Sequence, residues 1–196
     1  MRPAETDAGP PPASDRLAAA YLADAAARFD ALRTLAERAA AQVDDEAFFL
    51  ALDPDGNSVA TLMKHMAGNL RSRFTDFLTT DGEKPDRDRD AEFEREPADT
   101  RASILARWAE GWNALSGALG ALGPADLLRE VTIRGEPHSV LQALSRQLAH
   151  QAQHAGQIVL LARHHAGPRW QTLSVPRGRS AEYTREVRAR QPRGPA

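Results

Sequence analysis

The chain has 196 residues, with 25 basic and 27 acidic side chains, a formal net charge of -2 and no cysteine. That length predicts one domain able to bury a core without staples, and the missing thiols exclude disulfides, thiolate metal sites and a cysteine nucleophile. Any metal must be held by His, Asp or Glu, and the balanced charge excludes a surface coated overall for nucleic acid or membrane.

Residues 1–14 have no apolar stretch of the kind a signal peptide needs and read as a disordered leader, which makes the cytoplasm the expected location. From Asp15 onward, Leu17, Tyr21, Ala25, Phe29, Leu32, Ala36, Ala39 and Val43 recur at spacings of three and four, the mark of a long amphipathic helix. The turn signal Asp53-Pro54-Asp55-Gly56-Asn57 follows. Ser58 then stands as N-cap of a second helix carrying Val59, Leu62, Met66, Leu70, Phe74 and Phe77 and ending near Thr80. A third helix starts around Asp99 or Thr100, aligns Ile104, Trp108, Trp112, Leu115, Leu119 and Leu122, and stops at Gly123-Pro124. Its Gly111, Gly117 and Gly120 each weaken helix propensity by about 1 kcal/mol, so packing must hold it. Val131 and Ile133 suggest only an extended connector, too short for a sheet. Ser139 caps a fourth helix with Val140, Leu144, Leu148, Ala155, Ile158, Val159 and Ala162 as its stripe. Alanine occurs 37 times, which favours helix throughout. The expected fold is all-α, a four-helix bundle over residues 15–183.

Two segments depart from a simple bundle. The link between the second and third helices, residues 81–98, exceeds the two to eight residues usual in bundles. At about 3.3 Å per residue it can span roughly 60 Å, so it can cross the bundle and let those two helices run parallel. Its stretch Asp81 to Glu96 carries eight acids and four bases; it reads either as a solvated loop or as a lid anchored by Phe93. At the C-terminus, seven arginines from Arg169 onward face two acids, Glu182 and Glu186, a net of +5. Leu173, Val175 and Pro176 suggest that the part from Trp170 to Tyr183 packs back on the bundle, with Arg177 and Arg179 pairing to the acidic link. Residues 184–196 read as a basic flexible tail.

Six histidines carry the chemistry on offer: His65, His138, His150, His154, His164 and His165. His150 and His154, four apart on one helix, sit about 40° apart around the axis and roughly 6 Å along it, a geometry for two imidazoles on one ion. The strip His65, Asn69, Arg73 on the second helix mirrors the strip Arg146, His150, His154 on the fourth. Burying these groups without a partner would cost several kcal/mol, whereas a divalent ion satisfies the three imidazoles together. Three histidines without another protein ligand leave a coordination position open, as in catalytic sites. Imidazole softness leaves Zn, Ni, Fe and Co open, with Zn or Ni the leading expectation. His138 reads as a surface turn residue, and His164 and His165 as compensation of the helix dipole. Trp108 and Trp112 read as core. No phosphate loop, nucleophile elbow or basic aromatic stripe is present in the sequence.

The segments LMKHMAGNLRSRFTDFL and LSRQLAHQAQHAGQIVLLAR resemble the DinB/YfiT-like superfamily of metalloenzymes over roughly residues 15–183, and TTDGEKPDRDRDAEFE, WAEGW and LSVPRG resemble one uncharacterised branch of it. The resemblance implies a four-helix bundle with a long crossover between its second and third helices. It also implies a three-histidine divalent site, carried here onto His65, His150 and His154, and a homodimer. Characterised relatives include transferases and an isomerase that use bacillithiol, mycothiol or glutathione. The function expected from site and resemblance together is a metal-dependent transfer of a small-molecule thiol to an electrophile, with Arg73 or Arg146 neutralising the thiol's carboxylates and no nucleic acid or membrane as partner. Two alternatives stand beside it. One is a hydrolase using metal-bound water, with Glu83 or Glu92 as proton acceptor. The other is a non-catalytic metal-binding stress protein.

Overall fold

A computed structural model describes residues 12–190. In order these form α1 (Ala13–Ala40), α2 (Asp45–Phe49), α3 (Val59–Phe74), α4 (Arg101–Ala121), β1 (Glu130–Ile133), β2 (Glu136–Ser139), α5 (Val140–Ala166) and α6 (Ser180–Arg190). The chain is mostly helical, with one small sheet, and α1, α3, α4 and α5 are the four long helices that the apolar spacing predicts. No helix among the described residues is long and apolar enough to cross a membrane.

The helices begin where side-chain oxygens replace missing backbone partners. Ser58 Oγ accepts from Thr61 N at 3.1 Å, and Ser139 Oγ accepts from Gln142 N at 3.1 Å while Gln142 Oε1 accepts from Ser139 N at 2.8 Å. Arg101, at the start of α4, donates to the carbonyls of Ala40, Val43 and Asp44. It thereby satisfies the open C-terminal end of α1 and fixes α4 against it. Trp108, Trp112, Phe29, Phe48 and Met66 fill the centre, each large side chain there contributing on the order of 2 kcal/mol of apolar burial.

Pairwise contacts give the helix directions. Near the start of both helices, the Tyr21 hydroxyl meets Ser145 Oγ at 2.9 Å, and just beyond their ends Gln42 exchanges two hydrogen bonds with Gln171; α1 and α5 therefore run side by side in one direction. Asn69 meets Gln147 while His65 meets His150, so α3 opposes α5. Trp108 Nε1 donates to Glu37 Oε1 at 2.9 Å, early in α4 and late in α1, so these two are opposed as well. It follows that α3 and α4 run in the same direction, and that residues 75–100 carry the chain back between them. The close α3–α4 contact is made by Gly111, where a Cβ would come within 2.6 Å of the Ala67 carbonyl oxygen. That proximity explains a helix-weakening glycine at that position; Gly117 and Gly120 face open space.

Several expectations are corrected. The helix that begins at Ser58 ends at Phe74, not near Thr80, because Thr75 is extended and Asp76 adopts a positive φ of 48°. Phe77 continues the apolar spacing from within turns, its ring 5.0 Å from that of Phe74; periodicity does not separate these two cases. Residues 131–133 are a strand: β1 pairs antiparallel with β2, Ile133 opposite Glu136. Its two-residue turn places Arg134 and Gly135 at φ of 57° and 76°, the mirror-image turn that matches strand twist. Pro137 and the polar residues around it conceal β2 in the sequence. The short α2, capped by Asp44 and burying Phe48, has no counterpart among the expected elements. Leu17, assigned to the buried stripe of the first helix, is 74 % exposed. The expected leader lies outside the described residues up to residue 11, and α1 already includes Ala13 and Ser14. Of the stretch from Trp170 to Tyr183 expected to pack on the bundle, Trp170 and Leu173 do so, whereas Pro176 and Tyr183 are exposed. Arg179, however, pairs with Glu182 and not with the link, and α6 continues to Arg190; of the expected tail, residues 191–196 lie outside the described residues.

Candidate metal centre

The two strips face one another at the histidines, but Gln147, not the exposed Arg146, stands opposite Asn69. On α3, His65, Asn69 and Arg73 are buried; across from them lie Gln147, His150 and His154 of α5. His65 Nε2 and His150 Nε2 approach to 3.2 Å, and one ligand atom from each of His65, His150 and His154 lies within 4.8 Å of the others. A tetrahedral ion with metal–nitrogen bonds of about 2.0–2.1 Å requires nitrogens about 3.4 Å apart, so the pair already stands at ligand spacing. The remaining ring nitrogens agree with this. His65 Nδ1 bonds Glu92 Oε2 at 2.8 Å and His154 Nδ1 bonds Gln157 Oε1 at 2.7 Å, which leaves Nε2 of each ring for an ion. Burial, aided by His154 and His65, lowers the His150 pKa to about 3, and burial likewise lowers that of His154. Neutral imidazole is the ligating form. Three imidazoles whose ring nitrogens lie this close together fit a divalent ion.

Glu92, named from the sequence only as a proton acceptor for the hydrolase alternative, contacts one of the three histidines directly. It enters from the segment between α3 and α4, in a single 3-10 turn at Ala91–Phe93, and its carboxylate is held by Arg87 through two bonds of 2.8 Å. Burial alone would raise its pKa, but the His65 and Arg87 bonds outweigh that and keep it lowered. Arginine, carboxylate and histidine thus form a relay that fixes the ring orientation of His65, the arrangement that tunes ligating imidazoles. Phe93 lies on the other side, its ring 4.5 Å from that of His65. Gly68 makes room for the relay: a Cβ there would collide with the Glu92 carboxylate.

The acidic link is accordingly not a solvated charge run. Glu83 accepts from Arg73 at 3.0 Å, from Arg87 at 3.3 Å and from Arg134 at 3.0 Å, and these guanidiniums outweigh burial in lowering its pKa. Asp81 accepts from the backbone N–H groups of Arg134 and Gly135 at 2.8 and 2.7 Å, clamping the tip of the β-hairpin. Asp99 and Lys64 pair in the interior at 2.9 Å, with Lys64 also donating to the Glu94 carbonyl. The link is tied down at both ends and at the histidines.

A cavity of about 370 Å³ opens beside the three histidines and is also lined by Asn69, Arg73 and Arg146. Arg73 donates to the Gly82 carbonyl at 2.6 Å besides Glu83, and Arg146 is exposed with its Nη1 3.4 Å from His138 Nε2. Asn69 Oδ1 accepts from Gln147 at 2.9 Å. The structure therefore gathers every residue singled out from the two strips around one cavity. His164 and His165 lie elsewhere, His165 bonding the Leu50 carbonyl. Arg87, Arg89 and Arg134 were not legible as site residues: their positions are set by the course of the link and the hairpin, and no helical spacing marks them.

No curated protein and no solved structure matches the chain. Residues 16–179 match the family described as "Protein of unknown function (DUF1572)", which covers the four long helices, the link and the hairpin, and the chain belongs to that family.

Proposed function

We propose that this protein is a divalent-metal-dependent transferase of low-molecular-weight thiols, built on a four-helix bundle of the DinB/YfiT-like superfamily with its long crossover between α3 and α4. The observation that carries the reading is the convergence of His65, His150 and His154 at the wall of an open, arginine-lined cavity. An ion held by three imidazoles, Zn or Ni by preference, has a position left for a cosubstrate and favours the ionised form of a bound thiol. The chain's own residues supply the rest. Glu92 and Arg87 fix the His65 ring, Phe93 covers it, and Asn69, Arg73 and Arg146 face the cosubstrate. The reaction forms a sulfur–carbon bond while the electrophile's leaving group departs with the bonding electrons and the thiol proton passes to solvent.

Hydrolysis is the weaker reading because Glu83 and Glu92, its two candidate bases, are both committed to arginines and held in their ionised, weakly basic form. A purely structural ion would sit in a closed four-ligand site. The test is cobalt substitution. The protein should bind close to one ion per chain, and His65→Ala, His150→Ala and His154→Ala should each release most of it, whereas His138→Ala, His164→Ala and His165→Ala should keep it. Adding a thiol should produce a thiolate-to-cobalt absorption band. A spectrum unmoved by glutathione, mycothiol and bacillithiol would overturn the thiol reading.

A further inference from the structure

The cavity beside the histidines contains five arginines, Arg73, Arg87, Arg89, Arg134 and Arg146, and no acidic side chain in its lining. The carboxylates that approach these arginines from behind the wall are Glu83 and Glu92, with Asp90 reaching Arg89 only at 3.7 Å while itself 98 % exposed. Counting five guanidiniums against Glu83, Glu92 and Asp90 leaves two uncompensated positive charges around the space. They are not distributed evenly. Arg73 and Arg87 are buried or nearly so and their donors are taken by Gly82, Glu83 and Glu92. Arg134 gives only its Nε to Glu83, a carboxylate shared three ways, and its side chain remains 52 % exposed.

Arg146 has no carboxylate partner among the described residues. Its contact is with His138 Nε2, an acceptor nitrogen, because His138 Nδ1 donates to the Glu136 carbonyl at 2.9 Å. Arg89 lies over the Phe93 ring at 5.0 Å and reaches Asp90, so the forks with donors left over belong to Arg134 on the hairpin tip and Arg146 on α5. The hairpin tip is held in place: Asp81 accepts from the backbone N–H groups of both turn residues and keeps Arg134, a non-glycine residue, at a φ of 57°.

We infer that Arg134 and Arg146 receive carboxylates of the cosubstrate and that this cosubstrate carries at least two negative charges, which selects a dicarboxylate thiol over an uncharged sugar thiol. The planar guanidinium fork pairs with carboxylate through two parallel hydrogen bonds, and an uncharged ligand would leave both forks unpaired in the wall. The inference rests on the thiol reading for the placement of the ligand's sulfur, and on the arginines alone for its charge.

The test uses three probes on the full chain: mercaptosuccinate, 2-mercaptoethanol and succinate. With cobalt-loaded protein, mercaptosuccinate should give the thiolate band with an affinity at least ten-fold above that of 2-mercaptoethanol. Arg134→Gln and Arg146→Gln should each remove most of that advantage without changing 2-mercaptoethanol binding, and raising salt from about 50 to 500 mM should weaken mercaptosuccinate alone. Arg134→Lys and Arg146→Lys should recover only part of it, since the charge returns without the fork. With metal-free protein, calorimetry should detect succinate binding that the double variant Arg134→Gln/Arg146→Gln lacks. Equal affinity for the two thiols, or an advantage that survives in the double variant, overturns the inference while leaving the thiol reading intact. Succinate binding that depends on the two arginines, with no thiolate band from either thiol, upholds the anion site and overturns the thiol reading instead.

Discussion

Gly68 sits in the middle of α3, where replacing glycine by alanine ordinarily stabilises a helix by about 1 kcal/mol. Here the added methyl would meet the Glu92 carboxylate and lie 2.8 Å from its Cδ. Helix backbone does not yield easily, so Glu92 must leave. Its departure breaks the two 2.8 Å bonds from Arg87 and the 2.8 Å bond to His65, charge-assisted contacts each contributing roughly 1.5–3 kcal/mol before the displaced groups find water. With that recovery and the propensity gain subtracted, Gly68→Ala should destabilise the protein by about 2 kcal/mol. For a chain of this size that lowers the melting temperature by roughly 4–8 °C. Because the relay orients a ligand imidazole, affinity for a divalent ion should also fall about 10–100-fold, measured by competition with a chromogenic chelator. The decisive comparison is made in a Glu92→Ala background. With no carboxylate to strike, the same Gly68→Ala change should reverse sign and stabilise by about 1 kcal/mol. A melting temperature that rises with Gly68→Ala in the parent protein, or the same sign in both backgrounds, would refute the relay.

Arg101→Ala removes the donors to three carbonyls at the α1–α2 junction and should cost about 2 kcal/mol, read from the midpoint of urea denaturation; Arg101→Lys should restore less than half. For Asp81, burial would raise the pKa, but backbone N–H groups of Glu83, Gly135 and Arg134 hold it down to about 2 from 3.8. Since the folded value lies below the unfolded one, its stabilisation is complete above about pH 4 and fades as the pH falls through 2. Asp81→Asn should therefore lower the melting temperature at pH 6 by an amount worth about 1–2 kcal/mol, and the gap to the parent should narrow steadily in melts taken between pH 4 and pH 2. Deleting residues 184–196 removes most of α6, which buries no residue; the melting temperature should stay within about 1 °C, and a larger drop would show that α6 belongs to the packed domain.

What the sequence determined was everything governed by local periodicity and capping. The i, i+3, i+4 spacing fixed the four long helices, Ser58 and Ser139 marked the starts of α3 and α5, and the i, i+4 pair His150 and His154 with the strip on α3 indicated the faces whose histidines come together, because residues four apart on a helix share a side wherever that helix goes. Excess link length predicted that α3 and α4 could share a direction, and the helix contacts bear this out. The partners of the acidic link were decided only by tertiary structure. In the sequence, Asp81 to Glu96 is a run of charges that solvation satisfies as readily as pairing does. Only when the link lies between α3 and the hairpin does Glu92 find His65, does Glu83 collect three guanidiniums, and does Gly68 acquire a reason to be glycine. The hairpin likewise exists because Val131 and Ile133 find a core to cover. These contacts join residues from 4 to 51 positions apart through an irregular backbone, where no repeating rise or turn angle ties sequence spacing to position in space.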